Sequence, residues 1–146
     1  MFNVTVNAAQ PGLLAPSTFN INGVPYAVAI LSDGSYALPS GAMPGVSSRP
    51  AKPGDTLTLY GVGFGPVIPV SLAGQLVQQL NSLSLPLQMS MGGSPATLLY
   101  YGLTPGYTGL YQFNLTVPSV APGNAALTFT LNGMAGTQTL YVAVAN

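Results

Sequence analysis

The chain contains no histidine, no cysteine and no tryptophan. Without imidazole it lacks the side chain whose ordinary titration falls near neutrality. Without a thiol it lacks a soft metal ligand and a sulfur nucleophile. A disulfide framework is excluded, although that alone fixes no compartment. Charge is almost as scarce: Asp33, Arg49, Lys52 and Asp55 are the whole complement, 3% of 146 residues, where ~25% is usual. Nothing here could neutralise a run of phosphates, so nucleic acid is excluded as a partner. No apolar run reaches the ~18 residues of a membrane helix. The first residues show neither the basic start nor the apolar stretch of a signal peptide, so a secreted protein would be represented here by its mature form or a fragment. No enzymatic activity, cofactor or metal site is expected. The only carboxylates are Asp33, in an Asp33-Gly34 turn, and Asp55, behind Pro53-Gly54 at a strand entrance. A glycosidase pair would require both turn residues to be repurposed, and their spacing gives no support to a calcium site.

What is present is apolar residues, 48% of the total, punctuated by 18 glycines and 14 prolines. Frequent turns and few long helices follow from that mixture. From Tyr111 the sequence alternates: Tyr111, Phe113, Leu115 and Val117 share one face, while Gln112, Asn114 and Thr116 share the other. A period of two is the mark of a strand with one dry side. Pro118, with no amide hydrogen, closes it. Similar runs lie at Tyr26–Leu31 and Ser35–Leu38 around Asp33-Gly34, at Thr56–Tyr60, at Leu85–Met91 and Ala96–Tyr101 around Gly92-Gly93, and at Ala125–Leu131 and Thr137–Val144 around Asn132-Gly133. The three turns predict three hairpins.

Residues 39–54, with four prolines and three glycines, read as a long connection. Gly61, Gly63 and Gly65 lack the lysine and helix of a phosphate loop and read as a kinked strand end approached by another backbone. Leu72–Leu80 has the spacing of one short helix. The expectation is an all-β, antiparallel sandwich of about eight or nine strands with at most that one helix. Its predicted core holds Leu57, Leu59, Leu98, Phe113, Leu115, Val117, Leu127, Phe129, Leu131, Leu140, Val142 and Val144.

Several segments together resemble a known family. Pro11-Gly12-Leu13, Pro53-Gly54-Asp55, Gly61-Val-Gly-Phe-Gly-Pro66 and Met91-Gly-Gly-Ser-Pro-Ala96 carry part of the likeness. Tyr101-Gly-Leu-Thr-Pro-Gly106, Gly109-Leu-Tyr-Gln-Phe-Asn114 and Val117-Pro118 carry the most specific part. The chain resembles, over most of residues 11–144, the Solibacter-type uncharacterised C-terminal domain found at the ends of large secreted proteins of acidobacteria and their relatives. The resemblance implies an immunoglobulin-like, extracellular domain at a bacterial cell surface, with no catalytic residues to carry over. Leu72–Leu80 departs from the looser, Pro-rich stretch such a domain would have there.

A neutral β-rich body lacks the edge lysines and net charge that keep strands from pairing between molecules. Either other copies cover the edges or a sugar coat solvates the surface. Asn3-Val-Thr-Val-Asn-Ala8 and Tyr141-Val-Ala-Val-Ala-Asn146 share a Val-x-Val pattern. Residues 1–10 therefore read as an N-terminal strand and linker, and residues 11–146 as the sandwich. Two readings of the first strand stand side by side. Phe2, Val4 and Val6 either add to the open edge of a neighbouring copy and build an extracellular homopolymeric filament, or form an ordinary first strand of their own sandwich. Asn3 and Asn114 head Asn-x-Thr sequons and are the candidate glycosylation sites. A further alternative is a carbohydrate-binding or adhesion module in which Tyr100, Tyr101 and Tyr107 stack on sugar rings, against the plainer reading that they fill the core. The expected partners are therefore copies of the chain itself, or glycans.

Overall fold

The computed structural model describes residues 12–64, 67–68, 82–83, 85–104, 110–136, 138 and 140–145. Eight strands carry the architecture: β1 (Ala29–Leu31), β2 (Tyr36–Ala37), β3 (Thr56–Val62), β4 (Leu87–Met91), β5 (Thr97–Leu103), β6 (Tyr111–Thr116), β7 (Gly123–Leu131) and β8 (Leu140–Val144). They form two sheets. The first runs in the order β5-β6-β3-β1-β2, and Ser48–Arg49 adds a short parallel segment beside β2. The second places β7 between β4 and β8. Among the described residues the only helical element is a single 3-10 turn, Ser17–Phe19. The molecule is an all-β sandwich built of antiparallel sheets.

Alternation along the sequence becomes alternation of burial. In β6 Tyr111, Phe113 and Leu115 are buried while Gln112, Asn114 and Thr116 are half-exposed. β3 does the same with Leu57, Leu59 and Gly61. The predicted core residues are buried, except that Leu98 is only partly covered and packs against the core from its rim. Burying such side chains contributes roughly 1.5–3 kcal/mol each, which is what holds two neutral sheets face to face.

The glycine-rich strand end has a clear physical role. A Cβ on Gly61 would lie 2.8 Å from the carbonyl oxygen of Gly12 and 2.6 Å from Cε2 of Phe64. Gly61 thus admits the Gly12–Leu13 segment, which pairs with it along β3. Gly63, at φ 75°, then turns the chain so that Phe64 drops between the sheets. Phe64 is fully buried, with its ring 4.6 Å from that of Phe113 and 5.3 Å from that of Phe129. One aromatic side chain therefore joins the two sheets, and the predicted core had not included it.

Two of the predicted hairpins need only confirmation. β1 and β2 pair across Asp33-Gly34, and β7 pairs with Met134–Ala135 and then β8 across Asn132-Gly133. The Gly92-Gly93 turn differs from expectation. After it only Ser94 and Pro95 pair with β4; the chain then crosses to the first sheet, where β5 pairs with β6. Pro95 faces Ser90 between two hydrogen-bonded positions, so its missing amide hydrogen costs no ladder bond; the Ala96 amide still donates to the Met89 carbonyl at 2.9 Å, and the chain leaves β4 after that bond. The expected Leu72–Leu80 helix lies outside the described residues.

Candidate functional site

The Asp33, Arg49 and Asp55 side chains, drawn from 23 positions of sequence, meet in one corner, where the Lys52 main chain joins them. Asp33 sits in the β1–β2 turn, where its Oδ1 accepts the Ser35 amide at 2.9 Å. Arg49, on the short edge segment, donates from Nε to Asp33 Oδ2 at 3.1 Å and from a terminal nitrogen to Asp55 Oδ2 at 3.2 Å. The Lys52 amide donates to the same Asp55 oxygen at 2.9 Å. The Ser35 amide and then the Arg49 guanidinium hold the Asp33 carboxyl below the usual carboxylate range. The Asp33 carboxylate, followed by that of Asp55, pushes the already high guanidinium pKa further up. A general acid needs the opposite, a carboxyl driven up toward neutrality. A cation would also have to displace a guanidinium that already bridges both carboxylates. The corner is a structural clamp.

The same stretch closes both sheets on one side. Ser48–Arg49 lies along β2 at the edge of the first sheet, and Ala51 bridges in parallel to Val144 at the edge of the second. There the Ala51 amide donates to the Ala143 carbonyl and the Ala51 carbonyl accepts from the Ala145 amide, both at 2.8 Å, and the Ala27 amide donates to the Tyr141 carbonyl at 3.1 Å. A satellite core of Phe19, Tyr26, Leu38 and Ala143 packs over this side.

On the other side lie β4 and β5. Among the described residues, Ser94–Pro95 is the only strand paired with the outer flank of β4, and the Ala96 amide carries the pairing as far as the Met89 carbonyl. Beyond β5 the described residues hold Ser82–Leu83, which is near it and pairs instead with Val67–Ile68. Neither β4 nor β5 carries a charged residue.

The tyrosines are sorted by a β-bulge. Leu98 pairs with Leu115, but Tyr100 pairs with Asn114, so Leu99 is an extra residue and stands 59% exposed. The bulge reverses the phase set by Leu98. Tyr101, opposite Phe113, turns inward and packs against the core, while Tyr100 shares the outer face with Asn114. The Tyr100 hydroxyl donates to the Leu103 carbonyl at 2.6 Å. Asn114, the second sequon residue, is half-exposed there, its Oδ1 accepting from Gln112 Nε2 at 3.0 Å. Neither tyrosine stands clear of the protein. Phe2, Asn3, Val4, Val6 and Tyr107 lie outside the described residues.

What the sequence reading missed is the convergence on Arg49 and the amide pair beside Tyr100. Only strand pairing brings these residues together, and the one local signal was that Gln112 and Asn114 share a parity. No family model matches the chain, and no curated protein or solved structure matches it. Among the described residues no helix is long and apolar enough to cross a membrane.

Proposed function

We propose that this chain is a structural, non-enzymatic module of immunoglobulin type that assembles outside the cell into a head-to-tail homopolymer. The sheet orders support the fold reading. β5-β6-β3-β1 and β4-β7-β8 correspond to the two sheets of a constant-type immunoglobulin domain, D-E-B-A and C-F-G. The resemblance to the Solibacter-type domain agrees with that topology and with a bacterial cell-surface setting.

The observation that carries the assembly reading is the segregation of charge. The Asp33, Arg49 and Asp55 side chains gather at the closed side, Lys52 lies in the adjoining connection, and β4 and β5 carry none of the charges that discourage strand addition. An extended segment adds to a sheet edge by main-chain pairing, and an uncharged edge does not repel it. In this reading the segment is Phe2–Val6 of the next copy. Donor and acceptor surfaces differ, so repetition gives an open filament.

Negative-stain microscopy of the full chain and of a chain lacking residues 1–8 tests this. Filaments are expected from the first and dispersed particles from the second. Polymers unchanged by the deletion would remove the donor role. A full-length protein that stays monomeric at high concentration would remove assembly altogether.

A further inference from the structure

The outer face of the first sheet is a second surface with its own chemistry. Pairing registers set its side chains in rows: Thr58, Asn114 and Tyr100 in one, Tyr60, Gln112 and Gly102 in the next. Each of these side chains is half-exposed. Gly102 contributes no side chain yet is buried, and the Tyr100 phenol bridges from its own position to the Leu103 carbonyl. That bond spans Gly102, so the Tyr100 side chain runs along the strand across a position with no side chain of its own. Beside it the Gln112–Asn114 bond uses one donor and one acceptor. It leaves the Gln112 carbonyl oxygen and the Asn114 amide hydrogens directed at the same face.

From this geometry we infer a platform for an uncharged, β-linked polysaccharide, with Tyr100 and Tyr60 under the sugar rings and Gln112 and Asn114 on their hydroxyls. A flat aromatic ring offers its π-face to the axial C–H groups of a pyranose whose hydroxyls are equatorial. Paired donors and acceptors match hydroxyl groups, which are both. The two tyrosine Cα positions are separated by two strand spacings and one two-residue step, about 12 Å. That exceeds one pyranose ring, so the platform fits a chain in preference to a single sugar. Charge selects the class: the face has no ionic group, and the only arginine is engaged by two carboxylates at the closed corner. A polyanionic glycan would find no cation here. This inference is independent of filament formation, because the platform is a sheet face and the proposed assembly uses sheet edges.

The test is biolayer interferometry on sensors coated with xyloglucan, a neutral β-linked glycan, or with alginate, an anionic one. Binding to xyloglucan and none to alginate is expected. Tyr100→Ala should weaken the xyloglucan signal about tenfold, and Gln112→Ala severalfold. Tyr100→Phe, which keeps the ring, should retain most of it. Met134→Ala, exposed on the other sheet, should leave it unchanged. Circular dichroism confirms that each variant is folded, and Gln112→Ala decides the matter should Tyr100→Ala fail that check. Absent binding to xyloglucan, equal binding to alginate, or folded Tyr100→Ala and Gln112→Ala variants that bind as well as the native chain would each overturn the platform.

Discussion

On one side of the sandwich both sheets end beneath other parts of the chain; on the other, the described residues set only Ser94–Ala96 beside β4 and Ser82–Leu83 near β5. The closed side is made from segments with no periodicity of their own. Ala27 supplies one main-chain bond to β8, Ala51 makes two, with Ala143 and with Ala145 just past its end, and Arg49 sets a charge on the edge of the first sheet. Phe19 and Tyr36, with rings edge to face at 5.2 Å, help fill the satellite core. The Tyr26 hydroxyl reaches Asn124 at 2.7 Å. An unpaired edge is a template for association. The closed side removes that template by three means together: paired main chain, charge and apolar cover. On the other side, among the described residues, one short segment, Ser94–Ala96, pairs with β4. The same fold thus covers and charges one rim and leaves the strands of the other without charge.

The largest expected effect tests whether the closed side belongs to the cooperative fold. Phe113→Ala at the shared centre should cost about 3–5 kcal/mol, since the side chain is fully buried between the sheets. Phe19→Ala should fall in the lower part of that range if the satellite core unfolds with the rest. Leu99→Ala, the same kind of truncation at the β5 bulge, should change stability by no more than about 0.5 kcal/mol. Urea titration measures all three. A Phe19→Ala cost as small as that of Leu99→Ala would make the closed side a loose cover, and the comparison would lose its basis.

A smaller effect is expected where the first sheet receives the Gly12–Leu13 segment. Gly61→Ala places a methyl against a backbone oxygen at 2.8 Å and the Phe64 ring at 2.6 Å. Overpacking of this kind costs about 1–3 kcal/mol, read from the same titration. An unchanged midpoint would mean that the segment yields easily. The end of β3 beyond β1 would then be open on its flank away from β6, and the two sides would differ less than they do here.

These residues also show which parts of the molecule are legible in sequence. The strands with one dry face, β3, β6 and β7, follow from alternation, because a period of two fixes which side chains are buried. The Gly61 approach was legible as well, since alternate glycines exclude a filled strand surface. Three things were hidden by being non-local or by breaking phase. The Asp33–Arg49–Asp55 clamp joins residues 16 and 6 positions apart, and no spacing rule connects them. The Leu98–Tyr100 bulge inverts the parity, so counting from Leu98 puts Tyr100 inside when it is Tyr101 that faces Phe113. The satellite core draws on residues 19–43, where turns outnumber regular elements. Of the candidate surfaces, the scarcity of charge could be read directly. Its confinement to one rim could not, because it depends on β2 and the Ser48–Ala51 connection meeting in space.

The smallest expected effect concerns that charged rim, and its sign follows from linkage. The Asp33 carboxyl is held below its ordinary range in the folded chain, by the Ser35 amide first and Arg49 second. Its contribution to stability is therefore complete at pH values above that ordinary range. It is lost as the pH falls through the lowered folded value, where the unfolded chain already binds the proton that the native chain resists. The difference in thermal midpoint between the native chain and Asp33→Asn should be constant near neutrality and shrink as the solution is acidified. Raising the salt concentration should shrink it too, because Asp33 and Arg49 face solvent and their attraction is screened. The Ser35 amide bond is local to the turn, so high salt should leave a remainder. A difference that disappears completely in salt would assign the lowered pKa to Arg49 alone. The edge charge would then be an adornment of the closed side, whose protection would rest on its paired main chain and apolar cover.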